Sequence, residues 1–579
     1  MSTSGDPLLD ALDPDQRLAA EAIAGPVAIL AGAGTGKTRT ITHRIAYGIQ
    51  SGRYAEPRTM ALTFTTRAAA ELRARLRALG AGQVQARTFH AAALAQLGFF
   101  WPQVVGGAMP RIVESKSALI SEAADALRLD PDAALIRDAA AEIEWRKVSD
   151  LTFDEWAASG RRVERISVEQ AVALQRAYED LKDDRRQMDL EDVLLATAGM
   201  LASEPGVARA VRDQYRTFVV DEYQDVSPIQ HRLLRLWLGD RRDLCVVGDA
   251  NQTIYTFAGA SAQFLLGFAS EFPGAEVVRL EVSHRSTQPV LDLANRLMAG
   301  RPGALRLTAG ARGSERAQAP AADPRSPSGD RGAETKGPAP AITVHPTDRD
   351  ELAALVAAVA ADRADGVAPH QIAVLVRVNA QAPAIEAALR GAGHTVQLRG
   401  DARFWEQPHV REAIVHLVAA RRTTPPESAA GPVVRAILAG LGWDPEPPGE
   451  GAPLSARERW TQLDALHRLA EESAAAFPRF IDELLERQSA NDDPVSGSVV
   501  IATIHSAKGL EWESVHLPGL VEGTLPISYA ETDAEIEEER RLLYVAITRA
   551  RRRLRLSWAR RPTPSGTERA PSRFLADLA

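Results

Sequence analysis

The sequence predicts an α/β protein with two parallel-sheet cores, each interrupted by a mostly helical insertion. Short apolar runs recur between helical patterns in two stretches of the chain, and a long interval of helical periodicity breaks each series. Such runs, bounded by turn residues, are typical of strands buried on both faces of a parallel sheet. The length of 579 residues also exceeds what one hydrophobic core usually organises, so we expect several domains.

The first core and its insertion are predicted from the first half of the chain. Asp189 and Asp192 flank the start of an apolar helix, and helical periodicity extends over residues 109–202, which we interpret as the insertion. The first core then comprises residues 1–108 and 203–285. Its predicted strands are residues 26–30, 59–63, 218–220 and 244–247.

The second core is predicted to follow the same plan. It comprises residues 286–380 and 494–579, with a helical insertion at 381–493. Residues 309–340 are rich in Gly, Pro, Ala, Ser and charge but almost free of large apolar residues, so we expect a disordered loop. The predicted strands of this core are residues 371–376, 499–504 and 514–517.

Composition excludes several classes of protein. Hydrophobic residues make up 45% and charged residues 25%, and no apolar run reaches the roughly 20 residues that a membrane span needs. The net charge of −8 argues against bulk basicity as a means of coating nucleic acid, while it permits a local basic groove. Cys245 is the only cysteine, and the first residues lack a secretory pattern. We therefore expect a cytoplasmic protein with no membrane partner.

A glycine-rich segment after the first predicted strand is typical of a phosphate-binding loop. Backbone N–H groups of such a loop converge on phosphate oxygens at a helix N-terminus. Lys37 can then reach the β and γ phosphates, and the Thr38 hydroxyl can bind magnesium. The alternative is a glycine-rich helix entry without a ligand. The segment consists of Ala31, Gly32, Ala33, Gly34, Thr35, Gly36, Lys37 and Thr38.

Hydrolysis of a bound nucleotide also needs a second magnesium ligand and a base. Asp221 and Glu222 follow a predicted strand and are candidates for these two roles, in that order. Gln252 follows the next strand, where its amide can sense the γ phosphate. The alternatives are a solvated acidic loop and an ordinary surface glutamine.

These three segments, in this order, resemble motifs I, II and III of superfamily 1A DNA helicases of the UvrD/Rep/PcrA family, in an actinobacterial-type UvrD-like branch. The resemblance covers nearly the whole chain. The other matching segments are 12–16 (Q motif), 63–69 (Ia), 88–90 (Ib), 280–287 (IV), 503–511 (V) and 537–549 (VI). The resemblance implies two RecA-like P-loop cores, ATP and Mg²⁺ as cofactors, and 3′-to-5′ travel along single-stranded DNA. With it we expect a nucleoid-associated protein that is monomeric in isolation.

The resemblance also implies roles for individual residues of the nucleotide site. Arg285 and Arg549 would be arginine fingers presented from the opposite core, because guanidinium stays charged and binds phosphate in a forked geometry. His284 stands where the family usually has a tyrosine that stacks on adenine. The remaining implied contacts are Gln16 to adenine, Arg39 to the phosphates and Glu511 to the ribose. As isolated residues, these arginines and Glu511 would more often belong to surface ion pairs.

Single strands are commonly held by aromatic side chains that stack on bases and by groups that follow the backbone. By resemblance, the DNA path comprises Thr63, Phe64, Thr88, His90, Tyr255, Phe257, Thr503 and His505. Tyr255 and Phe257 follow Gln252 closely, so one short loop can link the γ phosphate to a base-stacking pocket. Core packing is the alternative for the three aromatic residues. Ala258 replaces a common arginine of the family. The basic cluster Arg551, Arg552, Arg553 and Arg555 either contacts phosphates or forms a solvated face.

Three functions follow from this reading. The first is an ATP-dependent helicase and translocase that acts on single-stranded DNA and tailed duplexes, with DNA-repair proteins as partners. The second is a DNA-stimulated translocase that displaces proteins but unwinds little, which the short second insertion favours. The third is a nucleotide-gated DNA-binding subunit of a larger complex, which the complete set of catalytic residues disfavours.

Overall fold

The chain divides into two compact units in the computed structural model. The first comprises Met1–Ser286 and Met298–Thr335, and the second comprises Thr287–Leu297 and Lys336–Ala579. Most of the predicted disordered loop lies outside the described residues, and only its flanks at 309–310 and 336–340 are described. The structure describes residues 6–310, 336–399, 405, 407–421, 423–446, 448, 454–473, 475–490 and 497–578.

The first unit contains ten strands and fourteen α-helices among its described residues. The strands are β1 (Val27–Ala31), β2 (Thr59–Thr63), β3 (Gln85–Thr88), β4 (Arg111–Ile112), β5 (Gln187–Met188), β6 (Thr217–Val220), β7 (Leu244–Gly248), β8 (Glu276–Leu280), β9 (Val282–Ser283) and β10 (Thr308–Ala309). The helices are α1 (Pro7–Asp10), α2 (Pro14–Glu21), α3 (Lys37–Gln50), α4 (Thr66–Ala78), α5 (Phe89–Val104), α6 (Lys116–Ala126), α7 (Ala133–Val148), α8 (Phe153–Ala158), α9 (Val168–Asp184), α10 (Leu190–Ser203), α11 (Pro205–Gln214), α12 (Pro228–Leu238), α13 (Gln263–Leu266) and α14 (Phe268–Glu271).

Six of these strands form one parallel sheet in the order β3-β2-β6-β7-β1-β8. Its two faces carry separate hydrophobic clusters, because alternate residues of a strand point to opposite faces. Ile29 packs in a cluster with Ile41 of α3 and Leu72 of α4. On the other face, Ala28 packs in a cluster that also contains Trp237 of α12. The sheet is therefore covered by helices on both faces, as the buried apolar strands predict.

The first helical insertion has its own core between α6 and α9, and it also buries charge. Lys147 of α7 and Lys182 of α9 are each 1% exposed. Their ammonium groups lie 2.7 Å and 3.1 Å from Oδ2 of Asp189, which the Tyr178 hydroxyl also contacts at 3.0 Å. Although burial lowers it, the surrounding carboxylates raise the pKa of Lys147 above its ordinary value. Charges buried in this way are tolerated only when they are paired and hydrogen-bonded.

The second unit contains six strands and eight α-helices among its described residues. The strands are β11 (Ala341–Thr347), β12 (Ile372–Val376), β13 (Val396–Arg399), β14 (Val499–Thr503), β15 (Trp512–Leu517) and β16 (Ala550–Arg561). The helices are α15 (Gln288–Met298, with Met298 in the first unit), α16 (Asp348–Ala364), α17 (Ala382–Gly391), α18 (Pro408–Ala420), α19 (Ala430–Gly440), α20 (Leu454–Glu472), α21 (Phe477–Ala490) and α22 (Asp533–Ile547).

These six strands form a second parallel sheet in the order β11-β16-β15-β12-β14-β13. Because β13 pairs with β14, the sheet continues to Arg399, beyond residue 380 where the sequence places the start of the insertion. Helices α18 to α21 build a separate apolar cluster that includes Leu417, Leu466 and Phe477. Among the described residues, no helix has the length and apolarity that crossing a bilayer requires. The two-core α/β fold class predicted from the sequence is confirmed.

Candidate functional site

The candidate residues of the first unit lie in loops at the ends of its sheet strands. The carboxyl ends of parallel strands meet at one edge of a sheet, where α/β proteins commonly bind ligands. The residues are 31–39 at and after β1, Thr63 and Phe64 at the end of β2, Thr88 and His90 at the end of β3, Asp221 and Glu222 after β6, Gln252, Tyr255 and Phe257 after β7, and His284 and Arg285 after β9.

The loop between β1 and α3 forms a cradle that requires glycine at two positions. Gly34 and Gly36 have φ angles of 74° and 78°, in the left-handed region that side chains disfavour. A Cβ on Gly34 would lie 2.5 Å from Cβ of Arg285, and one on Gly36 would lie 2.5 Å from Nε2 of Gln16. Helix α3 begins at Lys37 without a side-chain cap. Its first backbone N–H groups are therefore suited to an anion.

Gln16 and His284 hold this loop through hydrogen bonds. Gln16 Nε2 donates to the carbonyl of Thr35 at 2.9 Å, and the His284 backbone N–H donates to the carbonyl of Gly34 at 2.8 Å. The His284 ring lies 2.8 Å from Oδ2 of Asp13. Burial raises the pKa of Asp13, but hydrogen bonds from His284 and the Gln16 backbone outweigh burial and lower it. Asp13 was not among the candidates predicted from the sequence, although its three-residue spacing to Gln16 is typical of a capping box.

A pair of acids, the buried Asp221 and the half-buried Glu222, follows β6. Asp221 is 7% exposed, and burial together with the Glu222 carboxylate raises the pKa of Asp221 to about 7, against the opposing charge of Lys37. Lys37 Nζ lies 3.5 Å from the carbonyl of Ala31, within the loop. A divalent cation would offset both the burial and the repulsion of these carboxylates. The Asp221 carboxylate and the Thr38 hydroxyl are oxygen donors of the kind that Mg²⁺ prefers, so the residues fit this ion.

Gln252 lies in a short 3₁₀ helix, Ala250–Gln252, directly after β7. Its Nε2 donates to Oδ2 of Asp249 at 2.8 Å, and the backbone N–H of Asp249 donates to Oε1 of Gln224 at 3.0 Å. Gln224 belongs to the acidic segment after β6 and was not among the candidate site residues predicted from the sequence. The segment that carries Gln252 is therefore joined to the segment that carries Glu222.

Arg285 and Arg39, two of the three arginines assigned to the phosphates, both lie in the first unit. The expectation that Arg285 comes from the opposite core is wrong, because the chain remains in the first unit as far as Ser286. Strand β9 ends two residues before Arg285, and the bond from the His284 backbone N–H to the carbonyl of Gly34 holds the following segment beside the loop after β1. Arg39 directs one guanidinium nitrogen to the carbonyl of Ala11, at 2.6 Å.

Three aromatic side chains form a group on the loops after β2 and β7. The rings of Phe64 and Tyr255 are stacked, with centroids 5.7 Å apart and planes 9° apart. Phe257 meets Tyr255 edge-on at 6.1 Å. Phe64 is 44% and Phe257 is 61% exposed, whereas burial raises the pKa of Tyr255 to about 12. Exposed aromatic faces of this kind suit stacking with nucleobases, and core packing does not describe Phe64 or Phe257.

The remaining candidates of the first unit are less exposed. Thr63 is 1% exposed, and its hydroxyl has no hydrogen-bond partner among the described residues. Thr88 caps α5, since its hydroxyl accepts from the backbone N–H of Ala91 at 3.1 Å. Burial lowers the pKa of His90. These residues line the same sheet edge, but Thr88 already uses its hydroxyl within the protein.

Two candidates of the second unit follow β14. Thr503 is the last residue of the strand, and its hydroxyl lies 3.0 Å from the hydroxyl of Ser506. Burial lowers the pKa of His505 to about 4, and the positive charges of Arg377 and Lys508 contribute to this shift. His505 is therefore uncharged at neutral pH.

The two motif V and VI candidates have protein partners inside the second unit. Arg549 is 1% exposed and donates to the carbonyls of Val545 and Leu510, each at 3.0 Å. Glu511 accepts from the guanidinium of Arg551 at 2.9 Å. To bind a nucleotide as the resemblance implies, both residues must exchange these partners.

Arginines of the basic cluster on β16 are paired with acids of the same unit. Arg553 and Arg555 lie 2.9 Å and 2.7 Å from the buried carboxylate of Asp362. Their guanidinium groups join β16 to α16. Burial raises the pKa of Asp362, but hydrogen bonds from these two arginines, His516 and Ser514 outweigh burial and lower it. These two arginines thus serve the packing of the sheet, which sequence spacing did not indicate.

Comparisons with known proteins agree with this arrangement. The UvrD/REP helicase N-terminal domain model matches residues 12–273, and the UvrD-like helicase C-terminal domain model matches 278–428 and 454–561. The chain is 45% identical to an ATP-dependent DNA helicase UvrD2 of Mycobacterium tuberculosis, covering 100% of this chain and 83% of that protein.

More distant relatives align over a similar extent. DNA helicase II of Escherichia coli is 28% identical, covering 99% of this chain and 88% of that protein. The ATP-dependent DNA helicase PcrA of Leuconostoc citreum is also 28% identical, with 99% and 86% covered. The chain therefore belongs to the UvrD/REP helicase family, and it is a DNA helicase and DNA-dependent ATPase.

Proposed function

We propose that this helicase moves along single-stranded DNA in the 3′-to-5′ direction, separates duplexes that carry a 3′ tail, and acts in DNA repair or replication-associated processing. One observation carries the motor part of the proposal: the glycine cradle, the acid pair and the exposed aromatic group all occupy one edge of the first sheet. The direction of travel rests on the resemblance of the motifs to the family.

In the proposed hydrolysis, Lys37 and the α3 N-terminus bind the phosphates, and Thr38 and Asp221 hold magnesium. Bound Mg²⁺ supplies charge neutralisation for the phosphates. Glu222 accepts the proton of the attacking water, while Gln252 contacts the γ phosphate. Arg285 and Arg549 stabilise negative charge on the transferring group through their guanidinium N–H groups.

Further residues orient the nucleotide and respond to its loss. Gln16 uses one N–H and one lone pair within the protein, so its amide retains the second N–H and lone pair that an adenine edge needs. The His284 ring and the Gln16 backbone both hydrogen-bond to the Asp13 carboxylate, so we place His284 next to Gln16 at the proposed adenine site. Arg39 approaches the phosphates after leaving Ala11, and Glu511 binds the ribose after leaving Arg551.

The coupling to DNA is proposed to run through the loop after β7. Gln252 lies three residues before Tyr255 and five before Phe257, so a shift of its amide on phosphate release displaces the aromatic group. The stacked Phe64 and Tyr255 rings have centroids 5.7 Å apart. A base can stack on the exposed side of Phe64 or Phe257 without separating this pair. Thr63, Thr88, His90, Thr503 and His505 complete the proposed path along the backbone.

The decisive experiment compares unwinding of 3′-tailed, 5′-tailed and blunt duplexes with ATP and magnesium. We expect wild type to separate the 3′-tailed duplex selectively, with ATPase activity stimulated by single-stranded DNA. Glu222→Gln keeps the side-chain volume but removes the base, so we expect it to bind ATP and DNA without unwinding. Equal unwinding from 5′ tails would contradict the polarity, and full activity of Glu222→Gln would contradict the assigned base.

A second candidate function is translocation that displaces bound proteins with little strand separation. The extension of the second sheet to Arg399 favours it, because the extension shortens the second insertion relative to the predicted 381–493. Removal of streptavidin from a 3′-biotinylated or 5′-biotinylated single strand distinguishes the two functions. Displacement without unwinding of the 3′-tailed duplex supports the translocase, and unwinding at a comparable rate supports the helicase.

A further inference from the structure

Gln224 is a fully buried amide between the proposed base and the segment of the proposed sensor. Its side chain is 0% exposed, and it lies two residues after Glu222. Its Nε2 donates to the Glu222 carboxylate and to Oδ2 of Asp225, the latter at 3.2 Å. Its Oε1 accepts from the backbone N–H of Asp249 at 3.0 Å. One amide therefore contacts both segments at once.

The contact continues from Asp249 to the sensor. The Asp249 carboxylate accepts from Gln252 Nε2 at 2.8 Å and from the backbone N–H of Asn251 at 3.0 Å. The hydroxyl of Thr253 also approaches the carbonyl of Gln224, at 3.4 Å. A continuous series of hydrogen bonds thus joins the Glu222 carboxylate to the Gln252 amide. Such series act as a unit, because each bond fixes the orientation of the next.

The backbone at Glu222 needs support of this kind. Its φ of 52° is in the left-handed region, which is costly for a residue other than glycine. The carbonyl of Glu222 accepts from the backbone N–H of Asp225 at 2.9 Å, and its N–H donates to Oδ1 of Asp221 at 3.0 Å. These bonds hold the backbone, whereas Gln224 contacts the side chain. Gln224 therefore contributes to the orientation of the carboxylate.

Gly248 provides independent evidence that the position of the amide matters. A Cβ at residue 248 would lie 2.4 Å from Oε1 of Gln224 and 2.9 Å from Cδ2 of Leu265. Both distances are too short for non-bonded atoms. The last residue of β7 is therefore small enough to admit the Gln224 side chain between the two loops, and any larger residue must displace it.

We propose that Gln224 is a positioning residue that orients the Glu222 carboxylate and links it to Gln252, so that hydrolysis responds to the state of the loop after β7. This inference rests on the proposed function. A glutamine amide suits the role, because its oxygen accepts from the Asp249 backbone N–H while its N–H donates to the Glu222 carboxylate. Glutamate retains the acceptor but loses the donor, and methionine loses both at similar length.

The test uses the full chain with three substitutions and one control. Gln224→Met and Gln224→Glu remove both bonds or the donor alone, and Gly248→Ala displaces the amide without changing it. Gln230→Met is the matched control, because Gln230 is 8% exposed and its Oε1 accepts from the Ser227 backbone at 3.1 Å, away from Glu222. Thermal unfolding of each variant first establishes that it is folded.

Two readouts separate positioning from a structural role. The first is ATPase kcat and KM with saturating single-stranded DNA. The second involves no turnover: the dissociation constant of labelled oligo-dT with and without a non-hydrolysable ATP analogue. The ratio of these two constants measures the coupling between the nucleotide and DNA sites. A variant that merely loses stability retains the ratio in its folded fraction.

For Gln224→Met we expect kcat to fall about ten- to a hundredfold, as loss of an outer hydrogen-bond partner commonly does. We expect KM to stay within about threefold, since Gln224 does not contact the nucleotide in the proposed site. The ratio of the two dissociation constants should approach one in Gln224→Met. In Gly248→Ala it should lie between the wild-type value and one. Gln224→Glu should lower kcat while it retains more of the coupling. Gln230→Met should match wild type in both readouts.

Wild-type kcat and coupling in Gln224→Met would overturn the inference, as would equal losses in Gln230→Met. If Gln224→Met does not fold, Gln224→Glu and Gly248→Ala decide, and normal kcat in both overturns the inference. A wild-type protein without DNA-stimulated ATPase activity would overturn the proposed function and this inference with it. A stimulated wild type with unaffected Gln224 variants would overturn the inference alone.

Discussion

The two units of the molecule present their candidate residues in different states. In the first unit, glycines keep the phosphate loop open, and Phe64 and Phe257 are exposed at the sheet edge. In the second unit, Arg549 donates to two backbone carbonyls, and Glu511 is paired with Arg551. The loop between β1 and α3 is therefore shaped in advance for a ligand, whereas Arg549 and Glu511 must exchange internal partners to bind one. This difference suits a motor, because partner exchange is a two-state event that a ligand can bias.

The largest expected effect tests whether Arg549 leaves its carbonyl partners to act on phosphate. We expect Arg549→Ala to lower the DNA-stimulated kcat about a thousandfold or more, in the range found for arginine fingers. Single-turnover ATP hydrolysis measures this effect independently of product release.

Arg241→Ala is the matched control for Arg549→Ala. Arg241 also donates to backbone carbonyls, those of Arg212 and Tyr215, but it lies away from the candidate site residues in sequence. If both substitutions lower kcat equally per folded molecule, Arg549 is a structural residue and the contrast between the units disappears.

The next effect tests the preformed cradle of the first unit. Gly34→Ala adds a Cβ at a φ of 74° and against Arg285, so we expect nucleotide affinity to fall about thirty- to a hundredfold, or roughly 2–3 kcal/mol. Equilibrium binding of a fluorescent ADP measures it. Gly52→Ala is the control, because Gly52 has a φ of 73° with nothing within 4 Å of the added Cβ. Equal affinity of the Gly34→Ala variant and wild type would show that the cradle is not needed.

A third prediction concerns pH and His505 in the second unit. Its pKa is about 4 in the folded chain, below the ordinary value of 6.5. The unfolded chain therefore binds a proton that the folded chain does not, and stability is lost as pH falls below 6.5 towards 4. The expected loss from this residue at pH 5 is about 2 kcal/mol relative to pH 8.

Urea unfolding of wild type and His505→Gln at pH 5 and pH 8 measures the contribution of His505. The substitution should reduce the loss at pH 5, because glutamine does not titrate. An identical pH dependence in the two proteins would mean that His505 is more accessible to water than the structure indicates.

The smallest effect concerns the pair Glu511 and Arg551. Their side chains are 27% and 40% exposed, so we expect Glu511→Gln to lower the free energy of unfolding by less than about 1 kcal/mol. If Glu511 binds the ribose, the same substitution should reduce discrimination between ATP and dATP, measured as the ratio of kcat/KM. A large loss of stability with unchanged discrimination would assign Glu511 to structure alone.

Much of the fold was predictable because buried strands are continuous apolar runs. Strand β2 was predicted at its observed bounds, and β1, β6 and β7 within one residue, since each is buried on both faces. Strand β16 was missed because arginines alternate with its apolar residues. Its arginines are accommodated by Asp362, which is far away in sequence. Pairing between distant residues leaves no local pattern to read.

The candidate site divides in the same way. The phosphate loop and the acid pair have local motifs, so the sequence identifies them, and the structure brings them to one sheet edge. The roles of Asp13 and Gln224 depend on contacts with residues 271 and 25 positions away. The position of Arg285 beside Gly34 follows from the bond between the His284 backbone N–H and the distant carbonyl of Gly34. Neither kind of contact can be inferred from spacing along the chain.

The paired charges inside the first insertion have a consequence for heat resistance. Hydration of ions weakens on warming, so the cost of keeping Lys147 and Lys182 away from water declines with temperature. Among its described residues, the second insertion packs around an apolar cluster that includes Leu417 and Phe477, and it pairs charges such as Arg421 and Asp482 at exposed positions. Calorimetry should therefore resolve an earlier melting step that belongs to residues 408–490, while the lysine-centred helices persist to the main transition.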